Sequence, residues 1–286
     1  MSQQLRGMIL AVTAGVLWST GGLFIKQIQV DPLTIACLRS AVAGLVLLPF
    51  IKPKQIRFNR YVLSYILSYS WLVISFVTAT KLTSAGNAIA LQYTAPLYIF
   101  IFSVWMREVR INWRTLAPIA LIFAGIISFL LEPRQGSNLI GNILGISSGV
   151  ALALTNLSLS RLKEAPPINL VCMSNLSAAI LVLPFLPDHT VITRIDSAGW
   201  LSLAYLGAFQ IALAHVLFVY GLKLIHPLQA TVLALTEAIL NPVWVAIFWG
   251  EIPSTHGLAG TVLILLAVLT DVYLKHADAS IINKDC

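Results

Sequence analysis

A single carboxylate lies in the middle of an otherwise apolar stretch, VLALTEAILNPVWV, at residues 232–245. An ionised side chain at the centre of a bilayer-spanning helix costs at least ~2.5–3.5 kcal/mol. An acid kept there binds an ammonium group, carries a coupling proton, or stays protonated in a hydrogen bond to a neighbouring helix. Because intramembrane acids are functional by default, Glu237 is the first candidate for a binding or proton-coupling residue.

Arg39 is the basic residue that lies well inside an apolar segment, within LTIACLRSAVAGLVL at residues 33–47. Its guanidinium group extends to the membrane surface, pairs with a structural partner, or binds a substrate carboxylate. The sequence favours the first two roles and leaves the third open.

Polar and aromatic residues recur near the midpoints of some apolar segments and are nearly missing from others. They line a central cavity, or they bond neighbouring helices together at ~0.6 kcal/mol per bond. The uneven distribution favours a cavity, with tryptophans as apolar walls and cation–π partners for an amine. A lone His215 is more typical of a hydrogen-bonded core residue. The candidates are Trp18, Trp71, Gln92, Tyr93, Asn156, Gln210, His215 and Asn241.

The sequence carries no signature of catalysis, metal binding or a nucleotide cofactor. The five histidines lack metal-ligand spacing, and no Walker motif is present. Residues 145–149 fit G-x-S-x-G but lie in a continuous apolar helix rather than at a strand-to-helix elbow. Cys37, Cys172 and Cys286 form no CxxC pair. We therefore expect no enzymatic activity, no metal and no cofactor.

The composition indicates an all-α integral membrane protein. Of 286 residues, 58% are hydrophobic and 10% are charged, against about 25% charged in soluble domains. The net charge of +7 does not indicate nucleic-acid binding, because the basic residues lie in short gaps between apolar segments. Ten segments are apolar enough to predict transmembrane helices: 8–26, 33–51, 61–80, 85–106, 115–131, 139–160, 168–186, 199–222, 227–249 and 257–274.

The basic residues also predict an orientation. With the N-terminus in the cytoplasm, 13 of the 18 Lys and Arg residues lie on the inside and 4 on the outside. The positive-inside rule therefore places both termini in the cytoplasm of a multi-pass protein of the cell (inner) membrane.

An internal repeat divides the chain. Three pairs of segments align, and the second pair matches Cys37 with Cys172: 7–16 with 141–150, 31–50 with 167–185, and 81–94 with 223–236. The prediction is a first five-helix repeat at 1–134, a second at 135–275, and a polar tail at 276–286. Because five is odd, the second repeat enters the membrane inverted, as is typical of transporters with a midplane substrate site.

Small residues and prolines add local predictions. Gly141, Gly145 and Gly149 form a ridge that favours close helix packing. Pro96 and Pro242 lie inside predicted spans, where proline bends or breaks a helix.

The chain resembles the EamA type of the drug/metabolite transporter (DMT) superfamily over nearly its whole length. The resemblance lies in GVLWSTGGLFIK (15–26), the stretch from Pro96 to Glu108, TEAILNPVWVAIFWGE (236–251) and GLAGTVLILLAVL (257–269). Two departures are Ala238, where the family often has proline, and Arg107, where it has glycine. The resemblance implies ten helices, a second span away from the cavity, and alternating-access movement of small metabolites without ATP.

The functional hypothesis is a secondary transporter of a small organic metabolite. An amino acid exporter is the first choice, and the Trp-rich midplane favours a hydrophobic or aromatic substrate, with proton coupling through Glu237 as an added hypothesis. The alternatives are export of another metabolite or a cationic drug, an integral-membrane lipid enzyme, and a channel. The expected partners are the substrate and the lipid bilayer; the oligomeric state is left open.

Overall fold

The structure is a computed structural model that describes residues 2–52, 55, 58–107, 111–131, 138–162, 165–187, 189–222, 224–225 and 233–282. Within these ranges the protein is helical and contains no β-strand. The longer helices are α1 (Gln3–Ser19), α2 (Gly21–Gln27), α3 (Pro32–Leu47), α4 (Arg60–Leu82), α5 (Ala85–Gln92), α6 (Ala95–Trp105), α7 (Trp113–Leu130), α8 (Leu139–Ser160), α9 (Pro167–Val182), α10 (Ser197–Tyr205), a π-helical segment (Leu206–Leu213), α11 (Ala214–Leu222), α12 (Thr236–Trp249) and α13 (Thr255–Ile282).

Seven helical stretches of the described chain are long and apolar enough to cross a membrane: Gln3–Gln27, Pro32–Phe50, Arg60–Leu82, Ala85–Trp105, Leu139–Ser160, Ile168–Phe185 and Ser197–Gly221. Two shorter apolar helices are Trp113–Ser128 and Thr255–Asp271. The ninth predicted span, 227–249, is observed as α12 from Thr236 onward, and most of its earlier part lies outside the described residues. The all-helical membrane class is therefore confirmed, and the count of ten spans stays a prediction.

Local sequence signals set several helix ends. Asp31 caps α3 by accepting the Thr34 N–H at 2.9 Å, and a proline opens the helix. At the C-terminal end of α12, Gly250 adopts a left-handed conformation with φ 67°. Arg107, which follows α6, also has a left-handed backbone, with φ 59°. This conformation favours glycine, because a residue with a Cβ is strained there.

Helices α3 and α9 lie against each other in antiparallel orientation. The Cys37 thiol donates to the Ala179 carbonyl at 3.4 Å, and the Cys172 thiol donates to the Gly44 carbonyl at 3.3 Å. Both cysteines are buried and free. The two contacts are repeat counterparts. Adding 135, the offset of the sequence repeat in this region, takes Cys37 to Cys172 and Gly44 to Ala179.

Other helix pairs follow the same pattern. Helix α4 packs along α8 and α1 packs along α11, while α5 contacts α8 and α12 contacts α1. The repeat relates these contacts in pairs. The α4–α8 contact corresponds to the α11–α1 contact, and the α5–α8 contact corresponds to the α12–α1 contact. The glycine ridge of α8 packs closely as predicted: a Cβ at Gly149 would lie 2.6 Å from the Thr94 hydroxyl oxygen.

The largest buried cluster occupies the meeting point of α2, α3, α4, α5, α10 and α12. It includes Ile25, Ile35, Phe76, Leu203 and Ala238. Tyr69 of α4 belongs to the same cluster, so this face of α4 is directed into the protein. Tyr93, one of the candidate site residues, packs against this cluster.

Candidate functional site

Glu237 and Tyr93 join α12 to the C-terminal end of α5. The Tyr93 hydroxyl lies 3.2 Å from Glu237 Oε2 and 3.4 Å from the Ala234 carbonyl oxygen. Both side chains are half-buried. The carboxylate is therefore held by a specific donor in a residue that is only partly buried, which suits a group that binds a ligand or a proton.

Interrupted helices surround this pair. The predicted span 85–106 breaks after Gln92, because Pro96 lacks the N–H that would bond the Gln92 carbonyl. Helices α1 and α2 are separated at Thr20, whose hydroxyl donates to the Leu17 carbonyl at 2.6 Å. Gln210 lies in the π-helical segment, a feature frequent at functional sites. Pro242, by contrast, lies inside the continuous helix α12.

Arg39 is buried rather than extended to the protein surface, with 5% of the residue exposed. Its Nε and Nη1 atoms have no hydrogen-bond partner among the described residues. It attracts Glu237 through space, and no salt bridge joins the two side chains among the described residues. This burial does not fit extension of Arg39 to the membrane surface, and it leaves the structural pair and the substrate carboxylate as the roles that stay predictions.

Trp18, His215 and Gln210 form a connected group between α1, the π-helical segment and α11. The rings of Trp18 and His215 meet edge to face, 5.1 Å apart. Gln210 Nε2 donates to the Trp18 carbonyl at 3.4 Å. His215 Nδ1 lies 2.8 Å from the Ile211 carbonyl oxygen, as expected for a core histidine. The positive charge of Arg39 also acts on the His215 ring.

Several buried polar atoms in this region have no partner within the described residues. They are Trp18 Nε1, Gln210 Oε1 and both side-chain polar atoms of Asn241. Buried polar groups are normally hydrogen-bonded, so unpaired ones in one region call for a ligand or water. Asn241 packs against Gly22, where a Cβ would lie 2.6 Å from Asn241 Oδ1.

The structure therefore brings most of the predicted site residues to neighbouring positions. They are Glu237, Tyr93, Arg39, Trp18, Gln210, His215 and Asn241, with the half-buried Gln92 next to Tyr93. We call this set the central cluster.

Trp71 and Asn156 are not brought to the central cluster. Trp71 lies on the side of α4 away from Tyr69, is 49% exposed, and donates through Nε1 to the Ser147 hydroxyl at 2.6 Å. It lines a groove of about 640 Å³ between α4 and α8. Asn156 is exposed on α8 and forms no hydrogen bond to the central cluster in the described structure.

Sequence reasoning did not select two tyrosines of this region. Tyr69 is buried in the largest cluster and donates to Asn175 Oδ1 at 3.1 Å. The Tyr205 hydroxyl lies 3.2 Å from the Thr20 hydroxyl at the break between α1 and α2. A tyrosine inside an apolar run gives no signal that separates a core residue from a site residue.

Apolar membrane-spanning helices, interrupted around a half-buried carboxylate, define a multi-pass membrane protein of the transporter class. The EamA-like transporter family matches this chain twice, over residues 5–131 and 139–270. The chain belongs to the EamA-like transporter family of the DMT superfamily.

Individual relatives agree with this membership. An uncharacterized transporter of Archaeoglobus fulgidus is 30% identical over 259 residues, covering 90% of this chain and 93% of the relative. The threonine/homoserine exporter RhtA of Escherichia coli is 29% identical over 154 residues, covering 52% of this chain and 51% of the exporter. A solved crystal structure shares the fold with a TM-score of 0.64 at 19% identity, covering 92% of this chain and 95% of that one.

Proposed function

We propose that this protein is a secondary transporter that exports a small organic metabolite, an amino acid in the first place, by alternating access. The observation that carries the proposal is the half-buried Glu237 carboxylate, held by Tyr93 where interrupted helices meet. Interrupted helices free backbone groups and allow segments to move, as in many carriers. Glu237 is proposed to bind the substrate ammonium group or a coupling proton.

The amino-acid assignment is supported by the resemblance to RhtA, which spans half of each chain. The aromatic group of Trp18, His215 and Phe218 favours a hydrophobic or aromatic side chain as substrate. Trp71 does not support this preference, because it lies in the groove between α4 and α8.

The alternating-access proposal includes ten spans in two inverted repeats, 1–134 and 135–275, with both termini in the cytoplasm and a tail at 276–286. The antiparallel contact of α3 with α9 supports the inversion, because these helices are repeat counterparts and exchange their cysteine contacts. The placement in the inner membrane is supported by the distribution of basic residues.

The test is counterflow in proteoliposomes preloaded with a panel of amino acids, with and without a pH gradient. We expect saturable exchange of an amino acid by the wild type and its loss in Glu237→Gln. Glu237→Asp, which keeps the carboxylate, serves as the matched variant and should retain part of the exchange. Size-exclusion profiles and thermal unfolding would establish that all three proteins fold.

Three outcomes would contradict the proposal. Exchange by Glu237→Gln at the wild-type rate across the pH range would remove Glu237 from the site. Absence of exchange with every amino acid would direct the search to other metabolites and cationic drugs, and non-saturable flux would indicate a channel.

A further inference from the structure

The central cluster contains a buried positive charge that no described residue neutralises by contact. Arg39 keeps its proton at any physiological pH, and its Nε and Nη1 atoms are unpartnered. A buried charge is tolerated when it is paired and hydrogen-bonded, and it is costly otherwise. A guanidinium group buried in this way is suited to a negatively charged partner.

The packing around Arg39 holds it beside the π-helical segment. A Cβ at Gly207 would lie 2.8 Å from the Arg39 carbonyl oxygen and 2.5 Å from Val42 Cβ. The glycine therefore lets α3 approach closely enough to place Arg39 next to the turn that carries Gln210. This contact brings α3 to the cluster, contrary to the expectation that the second span lies away from it.

The unpaired groups of the cluster divide by chemistry. Arg39 Nε, Arg39 Nη1 and Trp18 Nε1 are unpartnered donors, and Gln210 Oε1 is an unpartnered acceptor. Glu237 adds the negative charge. The cluster thus contains one positive and one negative group that interact through space and form no salt bridge with each other.

We propose that Arg39 binds the carboxylate of the transported substrate while Glu237 binds its ammonium group, so that the substrate class is the free amino-acid zwitterion. Donors that are charged give the strongest hydrogen bonds to carboxylates. A zwitterion neutralises both groups at once, whereas an amine would leave Arg39 unpaired and a carboxylic acid would leave Glu237 unpaired. This inference rests on the proposed function and narrows its substrate.

The experiment compares amino acids with their decarboxylated amines as competitors of counterflow. The pairs are phenylalanine with phenethylamine, leucine with isoamylamine, and threonine with 1-aminopropan-2-ol. The pair used is the one whose amino acid the wild type exchanges. The wild type should bind the amino acid at least about 30-fold more tightly than its amine, because a charge-assisted bond is lost. In Arg39→Gln the amino acid should weaken to the level of the amine, whose own affinity should stay unchanged.

Arg39→Lys should recover part of the discrimination, and Arg6→Gln, at an exposed arginine, should keep all of it. If Arg39→Gln does not fold, the wild type alone decides the matter through its competition with amino-acid amides and methyl esters. Equal competition by these analogues, or wild-type discrimination in a folded Arg39→Gln, would overturn the inference and leave the proposed function standing. A wild type that exchanges no amino acid would overturn both.

Discussion

Lys26 Nζ lies 2.6 Å from Glu251 Oε1 and joins the end of α2 to the segment that follows α12. The same ammonium group donates to the Thr83 carbonyl at 3.1 Å, beyond the end of α4. Glu251 Oε2 is buried without a hydrogen-bond partner among the described residues, so the carboxylate depends on Lys26. The pair therefore fastens three chain segments at one end of the helix bundle.

Breaking this pair from one side should destabilise the protein. We expect Lys26→Met or Glu251→Gln to lower the free energy of unfolding by about 1–3 kcal/mol, because each leaves a partly buried charge without a partner. The double variant should lose less than the two single losses together. Denaturation in mixed micelles measures the free energy of unfolding of the two single variants and the double variant, with Arg6→Gln as control. If the two single losses add up in the double variant, the pair contributes no interaction energy.

Arg107 and Gly250 both have left-handed backbones, and glycine is expected to be the more stable residue at each position. Arg107→Gly should raise the free energy of unfolding by about 1 kcal/mol, because φ 59° strains a residue that has a Cβ. Gly250→Ala should lower it by about the same amount at φ 67°. Met106→Gly, with a helical backbone, is the control and should not stabilise. A destabilised Arg107→Gly would mean that its side chain contributes more than the strain costs.

The Tyr93 hydroxyl should support the function of Glu237. Tyr93→Phe removes the hydrogen bond at 3.2 Å and should weaken substrate exchange about fivefold, the equivalent of about 1 kcal/mol. Counterflow half-saturation measures this, and Tyr98→Phe on α6 serves as the control. Unaltered exchange in Tyr93→Phe would make the bond incidental to transport.

Single cysteines at the two ends of the first span should reveal the orientation. Gln4 and Gln29 are both exposed, and Cys37 and Cys172 are buried. In a Cys286→Ser background, a membrane-impermeant maleimide should label Gln29→Cys in intact cells and Gln4→Cys only after permeabilisation. The reverse pattern would place the N-terminus outside and overturn the predicted topology.

Apolar content determined the class of this protein directly from the sequence. A chain with 58% hydrophobic residues has no soluble alternative, and the predicted apolar segments proved mainly helical where they are described, with breaks such as those at Thr20 and after Gln92. The lipid environment makes this reliable, because the backbone must satisfy its own hydrogen bonds. The sequence repeat also anticipated the paired cysteine contacts of α3 and α9.

The tertiary structure alone decided which polar residues meet. Residues at similar depth in a span look alike in sequence, yet helix rotation turned Trp71 away from the central cluster and buried Arg39 within it. The break at Thr20 and the π-helical segment around Gln210 have no strong sequence signal, because they depend on packing between helices. Composition and periodicity fix which segments are apolar helices, whereas rotation, approach and local unwinding arise from long-range contacts. The sequence therefore determined the membrane class and Glu237 as a candidate, and the structure decided the neighbours that define its chemistry.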